Sequence, residues 1–456
     1  MQDLELLINK YNQAVPRYTS YPTVPFWKDW DNNIAWKSLF KNQALATKND
    51  IEGYSIYIHL PFCESLCTYC ACNKKITTNH SVEEKYINAV LKEWELYKDL
   101  MGESKMPLIQ SIHLGGGTPT FFSPNNLEKL IKGILKDGLL TKDVDFSIEG
   151  HPNNTTIEHL QVLYNLGFKR ISYGVQDLDP VVQNAINRFQ PLQNVLKATE
   201  EARKIGFESV NFDLIYGLPF QTLEGMKHTI QETIKLKPDR VAFYSYAHVP
   251  WKQKVQRLFD ERDLPEATLK SALYFTGKKM FLDAGYVDIG MDHFSLPTDQ
   301  LFMAREEGRL HRNFMGYTDI KSAALIGLGV SAISDIGGGY AQNYKEIESY
   351  YRAIEQDELP VNKGYFMNDI DLLFKQYILN IICKGSTTFK NEYSYLLTDY
   401  TFPILKELET DQLIKLTSNS IEVTPLGFNF LRNICKAFDI KWLTSQQTNI
   451  GFSKAV

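Results

Sequence analysis

From residue 54 to residue 246, short apolar or alternating runs are separated by longer stretches whose apolar residues recur every three or four positions. The short runs predict strands and the longer stretches predict amphipathic helices. Strands are expected over "YSIYIHL" (54–60), "IQSIHLG" (109–115), "VDFSIEG" (144–150), "KRISYGV" (169–175), "ESVNFDLIYG" (208–217) and "RVAFYSY" (240–246). Helices are expected between them, over 83–100, 125–136, 157–167, around 179–186, 192–205 and 223–236. The helix over 157–167 closes at Gly167, a standard helix stop. Strands alternating with crossover helices predict an α/β fold with a parallel sheet, open or curled into a partial barrel. Ligands of such folds sit at the carboxyl ends of the strands.

Residues 266–284 read as another helix, followed by a Gly- and aromatic-rich stretch to about 345. From about 366 onward, two or three helices, a hairpin over 413–424 and a helix over 425–438 suggest a small winged-helix-like domain. Its last residues balance Lys and Arg against Asp and Glu, so it lacks the basic face of a DNA reader and reads as a lid or packing element. No repeat or low-complexity tract interrupts the pattern.

The start of the chain does not read as a signal peptide. Leu4, Leu7, Ile8 and Tyr11 fall at helical spacing instead. No stretch is long and apolar enough to span a bilayer. A cytoplasmic protein is expected. The 456 residues allow a large core without disulfides. The net charge of −5 argues against a nucleic-acid or anionic-membrane surface.

One cluster changes the picture. Four of the six cysteines, Cys63, Cys67, Cys70 and Cys72, fall within ten residues just after the first strand. In a reducing compartment such clusters bind metal or do redox chemistry. Zinc normally takes four ligands in two paired groups. Cys383 and Cys435 stand far off in apolar helical runs and read as core residues. The step from Cys70 to Cys72 strains a tetrahedral cage. Three close thiolates suit a [4Fe–4S] cluster with one iron left open. Iron–sulfur, zinc and redox thiols all remain readings of the spacing alone.

The Cys63-x-x-x-Cys67-x-x-Cys70 pattern resembles the radical S-adenosylmethionine (SAM) superfamily. The surrounding residues resemble one of its families, the oxygen-independent coproporphyrinogen III oxidases, also called dehydrogenases. The matching stretches begin with "PRYTSYPT" (16–23), "YIHLPFCESLCTYCACNK" (57–74), "HLGGGTPT" (113–120), "SYGVQD" (172–177) and "DLIYGLP" (213–219). They continue with "YAHVP" (246–250), "GMDHF" (290–294), "HRNFMGYT" (311–318), "GLGVSAIS" (327–334) and "YAQN" (340–343), and together cover nearly the whole chain.

The resemblance implies a partial (βα)6 radical-SAM barrel with a smaller, mainly helical C-terminal domain. It implies three regions: an N-terminal extension over 1–50 covering substrate and cofactor, the barrel and connecting segment over 51–360, and the C-terminal domain over 361–456. It implies that Cys63, Cys67 and Cys70 hold the cluster, whose fourth iron chelates SAM. An electron from the cluster then breaks a carbon–sulfur bond and yields a 5′-deoxyadenosyl radical. Gly116, Gly117 and Thr118 would meet the methionine end of SAM, although a tight strand–helix turn explains "GGGTP" equally well. Glu149, Gln176, Arg188 and Asp213 match further SAM-binding positions. Tyr57 matches a residue near adenosine and substrate, and Cys72 is an extra thiol and a candidate catalytic group. Tyr69, Ala247 and Ile333 match positions around a second SAM molecule; ordinary core packing is the plain alternative for each.

Two departures stand out. The family commonly has glutamine where Met315 stands, which removes a hydrogen-bonding side chain near the second SAM. It often has an acidic residue near Pro152, where His151 stands; a solvated loop histidine is the default reading. The implied substrate is coproporphyrinogen III, two of whose propionates become vinyl groups, giving protoporphyrinogen IX. Arg17, His311 and Arg312 are the candidate partners of its carboxylates. The implied electron donor is a carrier such as flavodoxin or ferredoxin, and a monomer is expected. Heme-binding chaperones of the same superfamily are the alternative, along with radical SAM methyltransferases acting on a tetrapyrrole. Such chaperones typically replace the fourth cysteine by an aromatic residue and lack the "PRYTSYPT" lead; here Cys72 and that lead are both present.

Overall fold

The six expected strands are all present: β1 (Tyr54–Leu60), β2 (Leu108–Gly116), β3 (Leu139–Gly150), β4 (Phe168–Gln176), β5 (Ser209–Tyr216) and β6 (Arg240–Ser245). They pair parallel in chain order. The computed structural model describes residues 2–30, 33–46, 52–102 and 106–445. Each crossover carries a helix at or within a few residues of the expected place, including Val82–Met101, Pro124–Leu135, Ile157–Asn165, Leu192–Ile205 and Leu223–Leu236.

Most strand residues alternate, with register shifts in β1–β4 and with Ile112 and Ile148 also reaching the inner cavity. Ile56, Ile58, Ile112, Leu114, Phe146, Ile148, Val210 and Phe212 point outward into the main core beneath the helices. Their neighbours in sequence, among them Ser111, His113, Ser147, Ser172, Asn211 and Asp213, line a cavity inside the barrel. A period of two puts the two sets on opposite faces. The outer face anchors the helices. Val82–Met101, for example, buries Tyr86, Val90, Trp94 and Tyr97 at three- and four-residue spacing. Trp94 is fully buried, and truncating it to alanine would cost about 3–5 kcal/mol.

Three features were not legible in the pattern. A seventh parallel strand, β7 (Ala324–Leu328), pairs beside β1. It continues through antiparallel strands at Ile333–Asp335, Gly339–Asn343, Val361–Phe366 and Lys28–Asp29. Its sequence is apolar throughout, because all five residues are buried. Gly327 has no side chain because the backbone of Ile333 crosses it; a Cβ there would lie 2.4 Å from the Ile333 carbonyl oxygen. In the C-terminal region the expected hairpin gains a third strand, Ser386–Thr388, paired with Ser420–Val423. The helix expected over 425–438 is shorter: a 3-10 turn at Gly427–Phe430 leads into an α-helix at Leu431–Lys436. Gly427 is pressed against the hairpin, where a Cβ would lie 1.9 Å from the Leu413 carbonyl oxygen.

The N-terminal region divides between two cores. The helix Gln2–Tyr11 packs Ile8 and Tyr11 into the C-terminal core, which also takes Tyr18, Tyr21 and Cys435. The helix Ile34–Ala46 packs Trp36, Phe40 and Ala44 onto the barrel core. Cys383 is packed against the C-terminal core, so both distant cysteines are core residues as expected. Among the described residues no helix is long and apolar enough to cross a membrane.

Candidate active site

The cysteine loop leaves β1 at Pro61 and is tied down at its base and flank. Phe62–Cys63 pairs with Lys75–Ile76. The amide of Lys75 donates to the Pro61 carbonyl at 2.8 Å, and that of Thr77 to the Cys63 carbonyl at 2.9 Å. Thr68, itself buried, donates through its amide to the Ile186 carbonyl and through its hydroxyl to the Ala185 carbonyl, both at 3.0 Å. The loop backbone is therefore held before any ligand binds.

The thiols face fixed donors. Thr118 Oγ1 donates to Cys63 Sγ at 3.3 Å, and Arg188 Nη1 lies 3.7 Å from Cys67 Sγ. Lys74 Nζ donates to the Cys70 carbonyl at 2.9 Å. A hydrogen bond from Cys72 lowers the Cys70 thiol to about 6, despite its burial, with Lys74 adding to the effect. Burial pushes Cys63 up to about 11. Cys67 and Cys70 are part-buried and Cys72 is exposed. Among the described residues no three His, Cys, Asp or Glu side chains converge on a point that would hold a single ion.

Cys63, Cys67, Cys70 and Cys72 line one cavity of about 520 Å³ at the carboxyl end of the strands. Tyr69, Gly116, Gly117 and Thr118 share its wall, and so do Glu149, Gln176, Arg188 and Asp213. Sequence stretches far apart in the chain thus meet where a parallel barrel places its ligands.

The glycine turn is packed tightly as well as open to the cavity. The amide of Gly117 donates to the Leu60 carbonyl at 2.8 Å and that of Thr118 to the Phe62 carbonyl at 3.0 Å. A Cβ on Gly117 would lie 2.6 Å from the Pro61 carbonyl oxygen. Gly116 has φ +117°, and a Cβ there would meet the His59 ring at 2.8 Å. The turn-forming role is therefore real, beside any role in binding.

Glu149 accepts from His113 Nε2 at 3.3 Å and from the Gly116 amide at 3.3 Å. Burial alone would raise its carboxyl; these two donors outweigh burial and hold it below its ordinary range. Asp213 accepts from Ser172 Oγ at 3.1 Å and Asn211 Nδ2 at 2.8 Å. Burial, helped by the Glu149 charge, raises it to about 6. Gln176 ends β4 in the left-handed region with φ 65°. Its Oε1 and the Nε of Arg188 are buried without a partner among the described residues. Both side chains line the cavity, so two polar atoms there await a ligand.

Other expected residues stand apart from that cavity's wall. Tyr57 lies under it: its ring stacks on His113 at 5.9 Å and its hydroxyl contacts His59 Nδ1 at 3.1 Å. Ala247 is linked to Tyr69 through Gln256, whose Nε2 donates to both carbonyls, at 3.2 and 3.1 Å. Ile333 crosses β7 at Gly327, the residue in register with Tyr57. Arg17 donates through Nη2 to the Ser245 carbonyl at 2.7 Å. His311 and Arg312 line a separate cavity. Met315 lines the barrel interior together with Glu149 and Asp213. His151 corrects the default reading: it lines the cavity of the four cysteines, where burial and the Arg188 charge push it down to about 3.

Sequence reasoning passed over His113, Ser172, Tyr244 and Gln256. The first three were marked by polar or aromatic residues alternating with apolar ones inside strands. Gln256 sits in an irregular segment and carried no signal.

The Radical SAM superfamily model matches residues 57–233. An oxygen-independent coproporphyrinogen III oxidase from Helicobacter pylori is 38% identical over 94% of this chain and 95% of its own length. The one from Escherichia coli K12 is 36% identical over 95% and 94%. The chain belongs to the oxygen-independent coproporphyrinogen III oxidase family. The solved structure of the Escherichia coli coproporphyrinogen III oxidase, described as a radical SAM enzyme, superposes with a TM-score of 0.85. It is 34% identical and covers 94% of this chain and 99% of its own. As a radical SAM oxidase of this family, the chain uses a [4Fe–4S] cluster and SAM. The donor set fits both: three thiols on one loop for the cluster, and a polar cavity with unpartnered Gln176 and Arg188 atoms for SAM.

Proposed function

We propose that this chain converts two propionates of coproporphyrinogen III to vinyl groups without oxygen, giving protoporphyrinogen IX. The observation that carries the proposal is the convergence of Cys63, Cys67, Cys70, the Gly116–Thr118 turn, Glu149, Arg188 and Asp213 on one cavity, within a chain whose relatives of that name match over nearly its full length.

When bound, the cluster and SAM supply one-electron chemistry that removes a hydrogen from the propionate β-carbon. Loss of carbon dioxide, and of one electron to an external one-electron acceptor, would then leave the vinyl group. The chain's residues bind and orient. Cys63, Cys67 and Cys70 would hold the cluster, and the Cys70 thiol is lowered by Cys72 and Lys74. Glu149 stays ionised, so it suits the ammonium of an amino-acid ligand. Gln176 Oε1 accepts and Arg188 Nε donates in the same wall. Tyr57, stacked on His113, closes the floor beneath.

A second SAM near Tyr69, Ala247 and Ile333 is supported by the Gln256 bridge that draws Tyr69 and Ala247 together. For the three-part division at residues 50 and 360, two cores give partial support: the second gathers the C-terminal helices but also takes Ile289, Leu301, Leu310 and Tyr317 from before residue 360. The N-terminal part belongs to both. A cytoplasmic monomer fed by flavodoxin or ferredoxin fits thiols that must stay reduced.

The test is anaerobic incubation of reconstituted protein with SAM, a reductant and coproporphyrinogen III. Two losses of carbon dioxide and formation of 5′-deoxyadenosine should appear together. Heme binding with no decarboxylation would favour the chaperone reading, which the presence of Cys72 and the 16–23 motif disfavours.

A further inference from the structure

The cluster cavity is one of three with shared walls. Glu149, Ser172, Asp213 and Tyr244 belong both to it and to the cavity inside the barrel. Asn313 belongs both to the barrel cavity and to a third, of about 180 Å³. The third lies among residues 18–21, the strand His311–Asn313 and the helix Asp369–Lys384.

Among the described residues its wall carries Arg312, Lys321 and Lys375 against a single carboxylate, Asp335. Two of the three cations are already paired: Lys375 Nζ with Asp335 Oδ2 at 2.9 Å and Lys321 Nζ with Glu52 Oε1 at 3.4 Å. Arg312 has no such compensation. It is 7% exposed, and its Nε and Nη1 have no hydrogen-bond partner among the described residues. No ion pair among the described residues includes it. The face of Tyr317, 4.7 Å away, covers one side of the guanidinium. A guanidinium cannot shed its proton to escape burial. Enclosing one without an anion is strongly unfavourable. The arrangement makes sense if a ligand brings the anion.

We propose that this third cavity is a carboxylate pocket that takes a propionate of the substrate remote from the reacting one, with Arg312 as its ion partner. The identity of the ligand rests on the proposed function. The amino-acid end of SAM could also bring a carboxylate, but it brings an ammonium too. Asp335, the carboxylate on this wall, already holds Lys375, so a lone carboxylate fits better. The pocket also gives the 16–23 motif a role, since Tyr18, Thr19 and Ser20 form part of the same wall.

The test uses full-length, anaerobically reconstituted protein and three probes: coproporphyrin III, its tetramethyl ester, and SAM alone. Arg312→Met should weaken coproporphyrin III about tenfold to a hundredfold, the range for a charge-assisted hydrogen bond in a desolvated site. Arg312→Lys should restore part of that loss. Ester binding and SAM binding should not change. Because the substitution removes an uncompensated charge, the ligand-free Arg312→Met protein should melt no lower than wild type. Asn313→Asp is the second variant. It keeps the acceptor for the Met315 amide, 2.9 Å away, and sets a competing negative charge on the wall. It too should weaken coproporphyrin III.

The proposal is overturned if coproporphyrin III binds both variants as it binds wild type. It is overturned as well if SAM is the ligand whose affinity falls, or if Arg312→Met melts lower with porphyrin affinity intact. A wild type that turns over while both variants bind normally sinks this inference alone. A wild type that binds coproporphyrin III but converts no coproporphyrinogen III sinks the proposed function and leaves the pocket standing.

Discussion

Arg188 Nη1 lies 3.7 Å from the Cys67 sulfur, while its Nη2 donates to the Gly174 carbonyl at 2.5 Å. The second bond fixes the first, so a permanent positive charge is held beside the Cys67 sulfur, one of the three proposed cluster ligands. Charge and hydrogen bonds to the sulfurs set cluster potentials. Reduction adds negative charge, which Arg188 stabilises. Arg188→Met should therefore shift the midpoint potential downward, on the order of tens of millivolts. A redox titration followed by electron paramagnetic resonance measures it. An unchanged potential with normal iron content would show that the contact has no electronic consequence.

The four clustered cysteines should not behave alike. Cys63→Ser, Cys67→Ser and Cys70→Ser should each lose the iron–sulfur absorption and SAM cleavage. Cys72 is exposed; its thiol bonds Cys70, and its carbonyl accepts from Lys74 Nζ at 3.5 Å. Cys72→Ser keeps a donor at that position, so it should assemble a cluster with near-normal iron content. Loss of the cluster in Cys72→Ser would make it a ligand and force a new account of the loop.

The barrel was legible because its strands pack helices on one face only. "VDFSIEG" spells both faces in seven letters: Phe146 and Ile148 feed the core, while Ser147 and Glu149 face inward. The cysteine loop was legible because its chemistry needs close thiols in sequence as well as in space. β7 was not, since a strand buried on both faces has no alternation to read. Nor was the link from Gln256 to Tyr69, which joins residues 187 positions apart through irregular chain. Arg312 was visible as a cation beside a motif. Its lack of a partner is a tertiary fact that no local pattern carries.

The glycine turn can be tested apart from SAM. A Cβ on Gly117 would press on the carbonyl oxygens of Pro61 and Phe62, at 2.6 and 2.9 Å, both at the base of the cysteine loop. Neither can move without moving Cys63. Gly117→Ala should destabilise the protein by about 1–3 kcal/mol, the usual cost of overpacking, and should lower its iron content. Gly102 is the control. It has φ +96° and, among the described residues, nothing within 4 Å of a Cβ, so Gly102→Ala should cost roughly 1 kcal/mol and leave iron unchanged. A Gly117→Ala protein with wild-type stability and iron content would show that the Pro61 and Phe62 carbonyls yield to the added methyl group.

Asp213 gives a pH dependence with a definite sign. Burial and then the Glu149 charge raise its carboxyl from 3.8 to about 6. Between those values the folded protein binds more protons than the unfolded chain, so stability from this group falls as pH rises. The contribution is complete below about pH 4 and gone once pH has passed about 6. Asp213→Asn has no proton to lose. It retains one oxygen to accept from Asn211, and the Ser172 hydroxyl can turn to accept from its amide. Its stability, relative to wild type, should rise by about 2–3 kcal/mol between pH 4 and pH 7, because each tenfold change in proton affinity on folding is worth about 1.36 kcal/mol. Urea unfolding of both proteins across that range, without SAM, measures the difference. Two curves that run parallel would show that Asp213 ionises in the folded protein as it does in the unfolded chain, and that the inner wall of the cavity is wetter than its packing implies.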